Sequence, residues 1–380
     1  MRITSVEAFR LSARLCLVRV GTDGGHTGWG EATLESRTGA VAATVAELAE
    51  LLVGQDPRRI EWHHQRLRKG GFYRGGPVLG SAVAGLDQAL WDLKGKALGA
   101  PVHELLGGPA RDKVRVYTSA HGHTTEKMLT RARELVDAGY TMVKTAPEAV
   151  LGYLDVPSVL DRLVAHWEAL RQEVGRDVDI ALDLHGRFSA PAARRLLARL
   201  GGVDPLFVEE PLPPELQRDL GAVCALTTVP IATGERLYDR WEVSDVVDQG
   251  IAVLQPDLSH AHGISEVVRI AALADVHGIP LAPHCATGPL ALAACLQVDL
   301  AVPNVLVQEC PMEVHRPGAH PWSRLLVGFP FVFEDGYLLP PTGPGLGVEV
   351  DEDAVRAAAR TPEGGNSPIW AGLDGSYAEW

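Results

Sequence analysis

Val178-Asp179-Ile180-Ala181-Leu182-Asp183-Leu184-His185 is the stretch from which the fold follows. Side chains alternate faces along a strand, so Ile180, Leu182 and Leu184 share one face while Asp183 and His185 share the other. A buried parallel strand has no packing reason to end on a charge. The same ending nevertheless recurs. Short apolar runs, each leading through a polar turn into a helical stretch, lie at 114–119, 141–146, 178–185, 206–210, 231–235, 253–257, 281–284 and 305–309. From Asp183 to Glu209 is 26 residues, to Glu235 another 26, to Asp257 22, to His284 27 and to Glu309 25. A period near 25 holds one strand, one helix and two short loops, which is one βα unit. Eight such units predict an α/β barrel with its catalytic groups at the C-terminal strand ends. The longer interval of 39 from Lys144 to Asp183 predicts an insertion around Pro147–Leu160 near the mouth.

Outward from the barrel, the first hundred residues read differently. Ile3–Arg10 and Leu15–Val20 look like strands, and Gly21-Thr22-Asp23-Gly24-Gly25 turns the second into Gly28-Trp29-Gly30-Glu31. Three helical stretches follow. The clearest, Ser81–Leu98, has apolar residues near helical spacing and stops at Gly99 with Pro101 just beyond. Strands before helices imply a small α+β domain ahead of the barrel.

Composition narrows the functions. With 380 residues, 46% hydrophobic and 22% charged, the chain has ample apolar material to bury. A net charge of −13 repels polyanions, and no Lys/Arg block makes a local exception, so nucleic acid is not an expected partner. The most apolar stretch, Leu290–Val307, is broken by Gln297, Asp299 and Pro303, which argues against a membrane span. Glu7, Arg10 and Arg14 stand where a signal peptide would be apolar. Five scattered cysteines without a CxxC leave no zinc or disulfide framework, and a cytoplasmic enzyme with buried thiols is the expectation.

Asp183, Glu209 and Glu235 end three consecutive strands, which crowds three negative charges together. Separate salt bridges at loops would resolve the repulsion. A divalent cation resolves it at once, and an all-oxygen donor set suits a hard ion, Mg²⁺ above others. Asp257 and His284 end adjacent strands, within reach of an Asp–His pair that would fix the histidine tautomer and raise its basicity. A strand histidine satisfied within the core is the simpler alternative. Glu309, across the mouth, would hydrogen-bond a substrate oxygen if kept protonated.

Asp183-Leu184-His185-Gly186, Val208-Glu209-Glu210-Pro211, Gly234-Glu235-Arg236, Gln255-Pro256-Asp257-Leu258-Ser259-His260 and Ala282-Pro283-His284 resemble the enolase superfamily. Within it they look most like mandelate-racemase-type acid-sugar dehydratases, the galactonate-dehydratase branch in particular. Phe72-Tyr73-Arg74-Gly75-Gly76, Asp87-Gln88-Ala89-Leu90-Trp91-Asp92, Pro344-Gly345-Leu346-Gly347-Val348-Glu349 and Ala378-Glu379-Trp380 extend the likeness over nearly the whole chain. The resemblance implies a modified TIM barrel of (β/α)7β type over residues 112–335. An α+β capping domain over 1–111 would be completed by a C-terminal segment, 336–380. It implies Mg²⁺ on Asp183, Glu209 and Glu235, a base at His284 oriented by Asp257, a general acid at His185 and an enediolate-stabilising acid at Glu309. The implied reaction is dehydration of a galactonate-like sugar acid to a 2-keto-3-deoxy acid in a symmetric homo-oligomer. Loops near Gly21–Gly25 and Phe72–Gly76 would set substrate choice, with Tyr73 and Arg74 as contacts.

Some positions depart from that pattern. Ala146 stands where these dehydratases usually carry an amide or a second base, one pleat beyond Lys144. Lys144 would neutralise a carboxylate near the metal or form a surface salt bridge. His121 and His123 are either an accidental pair in a loop or contacts for distal substrate hydroxyls. His262 occupies a position where a glycine is expected. Epimerisation of the same acid class would need a second base, for which His185 is the remaining candidate. A nucleotide-dependent oxidoreductase fails because Gly21–Gly25 is not GxGxxG. A barrel that binds sugar acids without turnover would be expected to lack part of the catalytic set, and none of it is missing.

Overall fold

The computed structural model describes residues 1–122, 124–147, 151–152, 154–364, 369–372 and 374–378. Strands β1 (Ile3–Ser12), β2 (Leu15–Thr22) and β3 (Thr27–Glu31) form an antiparallel meander, with Val6 opposite Val20 and Arg19 opposite Trp29. Helices α1 (Thr38–Leu52), α2 (Ile60–Lys69) and α3 (Pro77–Leu98) pack on it around Val18, Val20, Val41, Leu86 and Leu90. α3 begins four residues before the expected start, at Pro77, and ends at Gly99, whose φ of 67° is the left-handed cap that glycine adopts without penalty. Its burial extends around most of its circumference because it lies between the small sheet and the barrel. Close approach is possible because β3 carries Gly28 and Gly30: a Cβ on Gly28 would stand 2.0 Å from the Ala89 carbonyl oxygen.

After the one-turn helix α4 (Val102–Leu105) the chain enters the barrel. β4 (Val114–Ser119), α5 (Thr125–Asp137), β5 (Met142–Thr145), α6 (Pro157–Val174), β6 (Asp179–Asp183), α7 (Ala190–Leu197), β7 (Phe207–Glu209), α8 (Leu220–Cys224), β8 (Ile231–Thr233), α9 (Arg240–Ser244) and β9 (Val253–Leu254) follow in order, the strands parallel neighbours in sequence. α10 (Ile264–Val276) leads to the seventh position, where Leu281 bridges both Leu254 and Val305. α11 (Pro289–Ala301) leads to β10 (Gln308–Glu309), which pairs with β4 and closes the ring. All eight expected segments take part in the ring, the seventh as a single bridge at Leu281, and pairing reaches as far as Lys144, Asp183, Glu209 and Glu309. Seven are followed by helices and the eighth is not, which is the (β/α)7β arrangement.

Each strand contributes one residue to a layer that fills the barrel: Tyr117, Met142, Ala181, Phe207, Ala232, Val253, Ala282 and Val307. Large and small side chains share this floor. The opposite faces, including Val116, Ile180, Leu182, Val208 and Ile231, pack outward on the helices. Beyond the barrel, β11 (Phe333–Glu334) and β12 (Tyr337–Leu338) form a hairpin antiparallel to the start of β4. α12 (Glu352–Arg360) returns to β1 and β2, where Arg356 pairs with Glu7 and Glu352 with Arg19. β13 (Trp370–Ala371) and β14 (Tyr377–Ala378) make a last small hairpin.

Two buried carboxylates from the first hundred residues cap barrel helices. Glu31 accepts the backbone N–H groups of Gly288 and Ala291 at the start of α11. Asp87 accepts Ser265 N–H and O–H at the start of α10. Orphan amides and the positive helix end suit a carboxylate there. Among the described residues no helix is long and apolar enough to cross a membrane.

Candidate active site

Two residues beyond the floor layer, the same inward-facing pleat carries Ser119, Lys144, Asp183, Glu209, Gln255, His284 and Glu309. β8 departs from this alternation. Its second residue past Ala232 is Gly234, at φ 144°, and the turn there presents Glu235 instead. One ligand atom from each of Asp183, Glu209 and Glu235 lies within 4.8 Å of the others, and this is the one such cluster among the described residues. Burial and the adjacent Asp183 charge push the Glu209 carboxyl well above its ordinary range, and burial raises Glu235 as well. Asp183 goes the other way: burial opposes its charge, but His185 and Lys144 hold it well below the usual value. Three carboxylates frustrated in this way, with no other donor type among them, fit a hard divalent cation.

Lys144 is buried, not on the surface. Its Nζ stands 2.6 Å from Glu309, 3.2 Å from Asp183 and 3.3 Å from Glu209. Burial works against its charge, yet those carboxylates outweigh it and hold the ammonium protonated. Glu309 accepts through both oxygens, from Lys144 and from the Cys285 N–H at 3.1 Å. The donor role that the resemblance implies requires a proton on that carboxyl.

His284 and Asp257 form the expected pair, Nδ1 to Oδ2 at 2.7 Å, while Nε2 faces Glu235 at 3.4 Å and Glu309 at 3.8 Å. Although burial disfavours the charged ring, Glu235, Glu309 and Asp257 raise its basicity well above the usual value. The ring reaches the cavity wall rather than being enclosed within the core. His185 lies across the ring of strands, third against seventh of eight, with Nε2 3.0 Å from Asp183. Its φ is 51°, so the chain turns at the strand end.

Lys144, Asp183, His185, Glu235, His284 and Glu309 wall a cavity of about 570 Å³ together with His121, Arg14, Leu34, Glu35, Tyr238 and Cys310, while Glu209 and Asp257 lie buried behind that wall. Tyr73 and Arg74 are not in that wall. Tyr73 is 89% exposed on the connection between α2 and α3, and Arg74 Nε reaches only the Gly71 carbonyl at 3.5 Å. The turn at Gly21–Gly25 is likewise absent, its Asp23 bonded to the Arg2 backbone. In their place the tip between β1 and β2 supplies Arg14, paired with Glu35. No periodicity marks such residues, so the sequence offered no signal for them. His121 lines the cavity; His123 lies outside the described residues, as do 148–150 and 153 of the expected insertion.

His262 takes no part in the cavity. Its φ of 56° explains why glycine is the expected residue there, and its buried Nδ1 meets the Tyr238 carbonyl at 2.7 Å. Glu210 and Arg236, each directly after a carboxylate of the cluster, are also missed by the sequence reading. Glu210 accepts Thr233 O–H and Gly234 N–H and pairs with Arg236, which ties the ends of β7 and β8 together. The signal available was their position: each immediately follows a strand-ending acid.

Residues 3–107 match the family described as mandelate racemase / muconate lactonizing enzyme, N-terminal domain, and residues 127–354 match the one described as enolase C-terminal domain-like. Similar curated proteins include the D-galactonate dehydratases of Ralstonia nicotianae and Cronobacter sakazakii, each 44% identical over the whole of both chains. Similar solved structures include the mandelate racemase/muconate lactonizing enzymes of Sulfitobacter sp. and Jannaschia sp. CCS1. The first has a TM-score of 0.88 and 32% identity, covering 97% of this chain and 99% of that one. The second has 0.87 and 32%, covering 94% and 97%.

Proposed function

The chain belongs to the mandelate racemase/muconate lactonizing enzyme family of the enolase superfamily, and from that premise we propose that it dehydrates a galactonate-like sugar acid to a 2-keto-3-deoxy acid. One observation carries the choice of elimination: two histidines stand on opposite walls of one cavity, with the carboxylate cluster between them. Asp183, Glu209 and Glu235 hold Mg²⁺ in this reading. When bound, that ion polarises the substrate carboxylate and stabilises charge developing beside it.

The chain's own residues do the proton work. His284, oriented by Asp257 at 2.7 Å, removes the α-proton through Nε2. His185 hands a proton to the β-hydroxyl, which leaves as water, and the enol ketonises. Lys144 keeps a fixed positive charge among the cluster and, with Glu309, lines the side of the cavity where the acid group would lie. Residues 1–111 serve as the cap, 112–335 as the catalytic barrel and 336–380 as a segment returning to the cap, a division that the Arg356–Glu7 and Glu352–Arg19 pairs support. In the same reading the enzyme works in the cytoplasm on a small sugar acid, as a symmetric homo-oligomer and without nucleic acid. Light scattering behind gel filtration reads the oligomeric state directly.

The test is incubation with Mg²⁺ and a panel of aldonic and aldaric acids, with semicarbazide trapping of 2-keto products. A trapped product from a galactonate-like acid supports the proposal. Silence across the panel would sink it.

A further inference from the structure

His185 is held from behind by a side chain that the proposed chemistry does not use. Two successive left-handed residues, His185 at φ 51° and Gly186 at φ 69°, turn the chain and bring Arg187 back beneath the imidazole. Arg187 is buried, and its Nη2 lies 3.1 Å from His185 Nδ1. A guanidinium has donors and no acceptor, so Nδ1 accepts and the ring proton sits on Nε2. That nitrogen is 3.0 Å from Asp183, and His185 lines the cavity.

Arg187 is anchored at two further points. Nη1 donates to the carbonyl of Pro147, at the exit of the second barrel strand. The guanidinium carbon stands 4.5 Å from the centroid of the Trp370 ring, within range of a cation–π contact. Trp370 opens β13, the first strand of the C-terminal hairpin. The C-terminal hairpin is thereby connected, through one arginine, to the histidine on the cavity wall opposite His284.

We infer that Arg187, braced by Trp370, is a positioning residue for His185, and that the C-terminal hairpin is thereby part of the elimination machinery. Arg187 fixes the tautomer and the rotation of the ring so that Nε2 faces the cavity. As the C–O bond of the substrate breaks, its electron pair goes to the hydroxyl oxygen, which takes the Nε2 proton and departs as water. The ring, left without a proton on either nitrogen, is held as imidazolate by the Arg187 guanidinium at Nδ1 until solvent returns a proton. The inference rests on the proposed role of His185 as the acid in that step.

The experiment uses the full-length, Mg²⁺-loaded protein and an acid sugar that it turns over, in D₂O. Arg187→Met should slow product formation by about 10- to 100-fold, the range for a lost outer-shell partner. Deuterium in recovered substrate should rise relative to product, because His284 still removes and returns the α-proton while the hydroxyl stays. Arg187→Lys should restore part of the rate. Trp370→Leu should shift the same ratio in the same direction by less, and it carries the test if Arg187→Met does not fold. Magnesium affinity by calorimetry should be unchanged in both. An unchanged exchange-to-product ratio, or exchange and elimination falling together, overturns the inference. A wild-type enzyme that turns over no acid sugar overturns the dehydratase reading itself and the inference with it.

Discussion

Glu235 differs from its two partners in how it arrives at the cluster. Asp183 and Glu209 follow from strand alternation alone, each two residues past the floor layer, but Glu235 depends on Gly234 at φ 144°. A Cβ there would stand 2.7 Å from the Gln255 backbone nitrogen, so Gly234→Ala should displace Glu235. Calorimetric Mg²⁺ affinity should then fall by about 10-fold or more; an unchanged affinity would show that the turn does not position the ligand. His284→Asn should lower kcat by about 10²–10⁴-fold and abolish α-proton exchange in D₂O, read by NMR. Surviving exchange would move the base elsewhere. At this scale Asp183, Glu209 and the Asp257–His284 pair were legible from strand-end position, Glu235 from its spacing alone, and Lys144 as a candidate whose burial stayed open. Arg187, Arg14 and the true position of Tyr73 were not, since loop backbone, not periodicity, aims them.

Between elements, buried carboxylates fasten the first hundred residues to the barrel. Burial lifts the Asp87 carboxyl to about 7, with the two bonds from Ser265 opposing. Folded Asp87 therefore keeps a proton from an unfolded value of about 3.9 up to that point. Its contribution to stability is full below this window and is lost as pH rises through it, at up to about 1.4 kcal/mol per pH unit. Asp87→Asn cannot titrate. Between roughly pH 4 and pH 8 the difference in denaturant midpoint should accordingly shift in the variant's favour. A difference independent of pH would mean that Asp87 stays charged as a cap on α10. The strands and α3 were readable from composition and spacing, but these caps were not, because Glu31 and Gly288 meet only in the fold.

For the molecule as a whole, a cation that binds the folded cluster and not the unfolded chain must stabilise it. Mg²⁺ at about 100 times its Kd should add about 2.7 kcal/mol, and chelation should remove it, read as a shift in Tm. Glu209→Gln should abolish most of that shift; a response that persists in the variant would locate the ion at another site. The barrel, its strand order and the chemistry at its strand ends were readable along the chain, because hydrophobic period and strand alternation are local properties that any βα repeat exposes. Which loops wall the cavity, the burial of Lys144 among three carboxylates and the contact of Trp370 with Arg187 emerge from the packed fold alone. Those contacts join residues far apart in the chain, and their geometry is set by how the layers pack rather than by any pattern along it.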